Sequence, residues 1–167
     1  MSPMQNLRNE HGQMMKKFSA MQKLLPELEQ PDPELFVAVE SLLEYFNIQI
    51  DGCHHGKEEE ILFPALEQLQ DRTIQDLTAA LRADHRTGHH LLEQIRSDYL
   101  RLRTNGPPGA TNFAADILRY LEHFRRHIRK ENAQLLPLME TALSAHAQAQ
   151  MAARFQQYER KILLKNP

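Results

Sequence analysis

The sequence predicts an all-α protein: an antiparallel, up-down four-helix bundle with an additional C-terminal helix. Three observations lead there. Apolar residues recur at steps of three and four along almost the whole chain, the signature of helices with one buried face. Strand-like alternation and β-branched runs are absent. The pattern also repeats. His54-x3-Glu58 followed by Pro64 matches His127-x3-Glu131 followed by Pro137 at a constant offset of 73 residues, and Glu10-His11 matches Asp84-His85 at an offset of 74. Two helical hairpins built alike, with short turns, form a four-helix bundle.

Each helix follows from its own stripe. The first runs from Pro3 to Leu25 and carries Leu7, His11, Met14, Phe18, Met21 and Leu25 on one face, until Pro26, Pro31 and Pro33 break the chain. Asp32 is placed to cap the second helix, with Pro33 in its first turn. That helix carries Phe36, Val39, Leu43, Phe46, Ile50, His54, Glu58 and Ile61, and is expected to end at Leu62-Phe63-Pro64. Asp71 and Thr73 open the third, whose stripe runs from Ile74 through His85 and Gly88 to Leu102. A loop rich in glycine and proline follows over 104–112. The fourth carries Phe113, Ile117, Tyr120, Phe124, His127 and Glu131, and closes on Leu135-Leu136-Pro137, so Pro64 and Pro137 both read as terminators. The fifth, Thr141 to Leu164, shows Leu143, Met151, Phe155, Tyr158 and Ile162, a stripe that must bury against its own bundle or against a second copy in a homodimer. Residues 1–140 therefore read as the bundle, and 141–167 as a helix of the same domain or a dimer surface.

Composition narrows the classes. A chain of 167 residues suits one core. A net charge of −2 gives no footprint for nucleic acid. No apolar run is long enough for a membrane span, no signal-peptide stretch opens the chain, and Cys53 is the single cysteine. Together these predict a cytoplasmic protein in a reducing compartment, without nucleic-acid or membrane partners.

The nine histidines carry the chemistry. All four bundle helices put imidazoles or carboxylates on their buried stripes: His11, then His54 and Glu58, then His85, then His127 and Glu131. A spacing of four stacks two side chains one turn apart on one face, and His85-x3-His89 shares it. Burying such groups without partners costs several kcal/mol each, so seven converging donors point to cations. With no thiolate set, cysteine zinc sites and iron–sulfur clusters are excluded; imidazole with carboxylate suits iron or manganese, while zinc and copper remain chemically possible. A competing register pairs His55 with Glu59, but His54 and Glu58 alone keep the 73-residue offset. His55, His90 and His146 are expected at the surface, His123 beside the site, and Cys53 as a small core residue.

These motifs resemble the hemerythrin-like proteins, the HHE cation-binding domain family, over residues 4–140. The resemblance rests on Glu10-His11, on Cys53 to Pro64, on Asp84-His85-Arg-Thr-Gly-His89 and on His127-Ile-Arg-Lys-Glu-Asn132. It implies two iron ions with an oxo or hydroxo bridge, one iron on His85, His89 and His127, the other on His11 and His54, with Glu58 and Glu131 bridging both. Eleven of twelve octahedral positions are then filled, counting the bridge twice. The vacancy implies a small diatomic ligand, dioxygen or nitric oxide, for carriage, storage or sensing. Leu81, Leu92, Phe46, Ile50, Phe124 and Ile128 are placed to line a dry pocket around it. Without His89, two positions would open, which suits the alternative of a redox-defence protein acting on damaged iron–sulfur clusters, nitric oxide or peroxide. An iron-responsive interaction module is the third reading.

Overall fold

A computed structural model describes residues 1–106 and 110–165. Helix α1, Pro3–Leu24, starts where Ser2 accepts a hydrogen bond from the Gln5 amide at 3.2 Å, and ends in the 3₁₀ turn Leu25–Glu29. Helix α2 spans 33–67, capped by Asp32, which accepts from the Leu35 amide at 2.7 Å. Helix α3, Arg72–Asn105, is capped by Asp71 and ends at Gly106, whose φ of 70° favours glycine. Helix α4 spans 110–142, and α5, Ala145–Lys165, begins where Ser144 accepts from the Ala147 amide. No strand occurs among the described residues.

Two boundaries differ from expectation, for one reason. Neither Pro64 nor Pro137 ends its helix. Just before each, the backbone widens into a π turn, Glu58–Leu62 and Glu131–Leu135. The Phe63 amide bonds to the Glu58 carbonyl, and the Leu136 amide to the Glu131 carbonyl, five residues back in both cases. Each proline then occupies the first turn of a renewed α segment, Phe63–Glu67 or Leu136–Ala142. There its missing N–H is no loss and its ring meets no crowded carbonyl. The loop expected over 104–112 is also narrower, since helix runs to Asn105 and resumes at Ala110; Pro107, Pro108 and Gly109 lie outside the described residues.

Another π stretch, Phe46–His54, brings α2 to the site. The His55 amide reaches back to the Ile50 carbonyl. The wider turn breaks the strict three-four spacing, so His54 and His55, though adjacent, are both buried at 1% and 3% exposure. The surface expectation for His55 is thereby overturned.

The polar side chains form one layer between two apolar cores. Met14, Phe18, Phe46, Ile50, Leu92, Phe124 and Ile128 belong to the core on one side. Leu7, Ile61, Leu81, Leu135, Met151 and Phe155 belong to the core on the other. His11 falls between Leu7 and Met14, His85 between Leu81 and Leu92, and Glu131 between Ile128 and Leu135, one crossing of the layer per helix. Helix α5 packs on α1 and α2 of its own bundle, with Met151 and Phe155 in the second core and Tyr158 donating to Glu60 at 3.0 Å. Gly56 permits this approach: a Cβ there would lie 2.2 Å from the Tyr158 hydroxyl.

Candidate metal centre

Six of the seven donors expected from the sequence meet in this layer, each 4% exposed or less: His11, His54, Glu58, His85, His127 and Glu131. They form two groups. His11 and His54 converge with Glu58 and Glu131, and His85 and His127 converge with the same two glutamates. The carboxylates divide their oxygens between the groups. Glu58 turns Oε1 toward His54 Nε2 at 3.6 Å and Oε2 toward His85 Nε2 at 3.2 Å. Glu131 turns Oε2 toward His11 Nε2 at 3.0 Å and Oε1 toward His127 Nε2 at 2.9 Å.

The outward ring nitrogens have partners of their own. His11 Nδ1 faces the Asn132 side-chain oxygen at 3.0 Å, His54 Nδ1 faces Glu10 at 2.7 Å, His85 Nδ1 faces Glu59 at 2.7 Å and His127 Nδ1 faces Asp84 at 3.5 Å. An acceptor on Nδ1 fixes the tautomer and aims Nε2 inward, as metal-ligating imidazoles require. These partners obey the repeat: Glu10 and Asp84 are one pair, Glu59 and Asn132 the other. Asp84 is steadied in turn by Lys130 at 2.6 Å, while the His123 ring donates to the Asp84 carbonyl at 2.8 Å, which places His123 beside the site as expected.

The inward atoms remain unsatisfied. The inward Nε2 atoms of His85 and His127 and all four oxygens of Glu58 and Glu131 are buried without a hydrogen bond of acceptable geometry, despite the close approaches above, and the outward His127 Nδ1 only approaches Asp84. Orphaned carboxylates in a buried layer are rare unless something binds them. The imidazoles that face these carboxylates attract protons strongly. Burial opposes charge on His54, but Glu58, Glu10 and Glu131 raise it to about 10. Burial likewise opposes His127, but Glu131 and Asp84 raise it to about 9. Glu131 is held well below its ordinary value, against its burial, by His127, His11 and His54. A centre that attracts protons this strongly also suits cations, and imidazole with carboxylate fits iron or manganese.

The seventh expected donor does not join them. His89 is 52% exposed, its Nδ1 faces Asp51 at 2.8 Å and its Nε2 lies 3.5 Å from Glu93. The inward position one turn beyond His85 belongs to Gly88, where a Cβ would fall 2.1 Å from the Phe124 ring. His55 enters instead, converging with His85 and His127. Strict helical spacing and the repeat both pointed away from it. Its sequence signal was Asp51 four residues earlier, an acid one turn from an imidazole. Beside His55 and His85 a cleft of about 570 Å³ opens to the surface, with Glu59, Arg86, His89 and Tyr158 among its lining residues. Of the remaining expectations, His90 and His146 are exposed, and Cys53 is buried with its thiol pushed up to about 11 by burial.

The fold and this layer define the class first: a helical bundle whose core holds two imidazole groups joined by shared carboxylates. The chain belongs to the hemerythrin family, whose HHE cation-binding domain matches residues 2–139. Curated relatives include an uncharacterized protein of Mycobacterium bovis and two from strains of Mycobacterium tuberculosis, CDC 1551 and H37Rv. Each is 24% identical over 157 residues, covering 94% of this chain and 61% of the relative. The chain thus spans about three-fifths of the length of these relatives. Among the described residues no helix is long and apolar enough to cross a membrane.

Proposed function

We propose that the chain holds two iron ions with an oxo or hydroxo bridge and binds a small diatomic ligand, dioxygen first and nitric oxide second, for carriage, storage or sensing. The observation that carries this reading is the split of Glu58 and Glu131, each offering one oxygen to either imidazole group. His11 and His54 would hold one metal, His85 and His127 the other, and both glutamates would bridge. When bound, an iron pair supplies an exchangeable coordination position and the electrons that stabilise a diatomic ligand. The chain supplies the setting. Phe46, Ile50, Phe124 and Ile128 exclude water from one side of the layer, and the Nδ1 acceptors hold the imidazoles in their ligating tautomer. A cytoplasmic, reducing location suits both ferrous iron and the single thiol of Cys53.

The cleft beside His55 and His85 favours a second reading, redox defence, because it gives solutes a path to the layer. One experiment separates the two. Protein reconstituted anaerobically with iron(II) is expected to hold about two irons per chain and to form an oxygen adduct that reverses when oxygen is withdrawn. Oxidation within seconds without an adduct would end the carrier reading and favour redox defence. One tightly held zinc, or no metal, would end both.

A further inference from the structure

We propose that His55, rather than His89, is the fifth imidazole of the dinuclear site, ligating through Nε2 the metal held by His85 and His127. The assignment rests on the dinuclear reading above and deepens it. His55 Nε2 is buried without a partner, in a residue only 3% exposed. Ligand atoms of His55, His85 and His127 lie within 4.8 Å of one another. The ring stacks on His85 at 4.0 Å and 18° and on Phe124 at 5.2 Å and 25°, so a small tilt away from His85 brings both imidazoles to bear on one metal. Its Nδ1 turns outward to Asp51 at 3.5 Å, as the other four site imidazoles turn theirs to an acceptor. His89 offers nothing comparable, since both its ring nitrogens already face carboxylates at the surface.

The repeat then locates the vacancy. Advancing His55 by 73 residues gives Ile128, so the hairpin that mirrors this one presents an alkyl group where His55 presents a ligand. One metal would receive three imidazoles, and two carboxylates from the group that Glu58 and Glu131 form with His85 and His127. The other, on His11 and His54, would receive two of each and keep an exchangeable position, with Ile128 standing where the mirrored half offers His55. The single vacancy implied by the family resemblance survives, with a different residue filling the other metal's sphere.

Iron content and iron release to a chelator test the assignment in wild type, His55→Ala, His55→Gln and His89→Ala, each checked for wild-type helix content by circular dichroism. The expectation is about two irons per chain for wild type and His89→Ala. Both His55 variants should lose iron about 10-fold faster or more, with added imidazole restoring retention in His55→Ala. Should His55→Ala misfold, His55→Gln, which keeps a polar group of similar reach, carries the same comparison. Wild-type retention in a folded His55 variant, or loss of iron in His89→Ala, would overturn the assignment while leaving the dinuclear reading intact. Fewer than about two irons in wild type would overturn that reading, and the assignment with it.

Discussion

The two hairpins of the bundle are near copies at the site and part company one residue away from it. Glu10, His11, His54 and Glu58 in the first answer to Asp84, His85, His127 and Glu131 in the second, down to the π turns that begin at each glutamate. Yet His55 corresponds to Ile128 in the repeat, and Asp51 to Phe124. What two hairpins must share is what bridges them. What they need not share is where an asymmetry between the halves can lie. Glu59 and Asn132 make the same point more mildly: both accept from an imidazole, one carrying a charge and the other none.

The harshest way to break the comparison is to remove what the halves share. Glu58→Ala and Glu131→Ala should each empty both metal positions, with losses in affinity beyond the 10–100-fold, roughly, of an outer-partner change. Elemental analysis would read this directly, and a variant that kept one metal firmly would show that its carboxylate did not bridge. A gentler change makes the halves alike. Ile128→His should offer the His11–His54 metal a further imidazole and weaken azide or nitric oxide binding about 10-fold or more, at unchanged iron content. Undiminished azide binding would place the open position elsewhere.

The smallest effect concerns protons. His54 at about 10 and His127 at about 9 are both charged at neutral pH in the metal-free protein, having been raised from 6.5. Their contribution to stability is therefore full below 6.5 and fades as pH rises through about 9 and 10. Metal must displace those protons, so binding at pH 7 should release at least two, one from each ring, in addition to those that His85 and a bridging water give up. Each contributes a pH slope of about 1.4 kcal/mol per unit. Calorimetry in buffers of different ionisation enthalpy would count them. No release at pH 7 would mean that these imidazoles are already neutral, and their share of the release should vanish above about pH 10.

Much of this was legible in the sequence because helices write their buried faces at regular intervals. His11, His85 and His127 fall on stripes of that kind, and the offset of 73 picked out His54 and Glu58, both of which lie buried in the layer, over His55 and Glu59. The same regularity misled where the backbone stops being regular. A π turn changes which residue faces inward without altering any residue type, so His55 could not be read from an α-helical wheel. Pro64 and Pro137 looked like ends because proline ends an α-helix, whereas a widened turn before each lets the helix pass. His89 was misplaced for a subtler reason. Its spacing of four from His85 was sound, but Gly88 at a spacing of three lets Phe124 close over that face, a tertiary contact no local pattern displays.

Lys57 gives the site a reach beyond the family's own boundary. Its ammonium is fully buried, donates to Glu10 and to Glu159 on α5, and so stands two side chains from His54, with Glu10 between them. Glu159 lies past residue 139, where the family match stops. The electrical surroundings of a metal-facing imidazole are thus set partly by a helix that the shared domain does not include. The bundle supplies a common instrument, and the appended helix holds one of its tuning pegs.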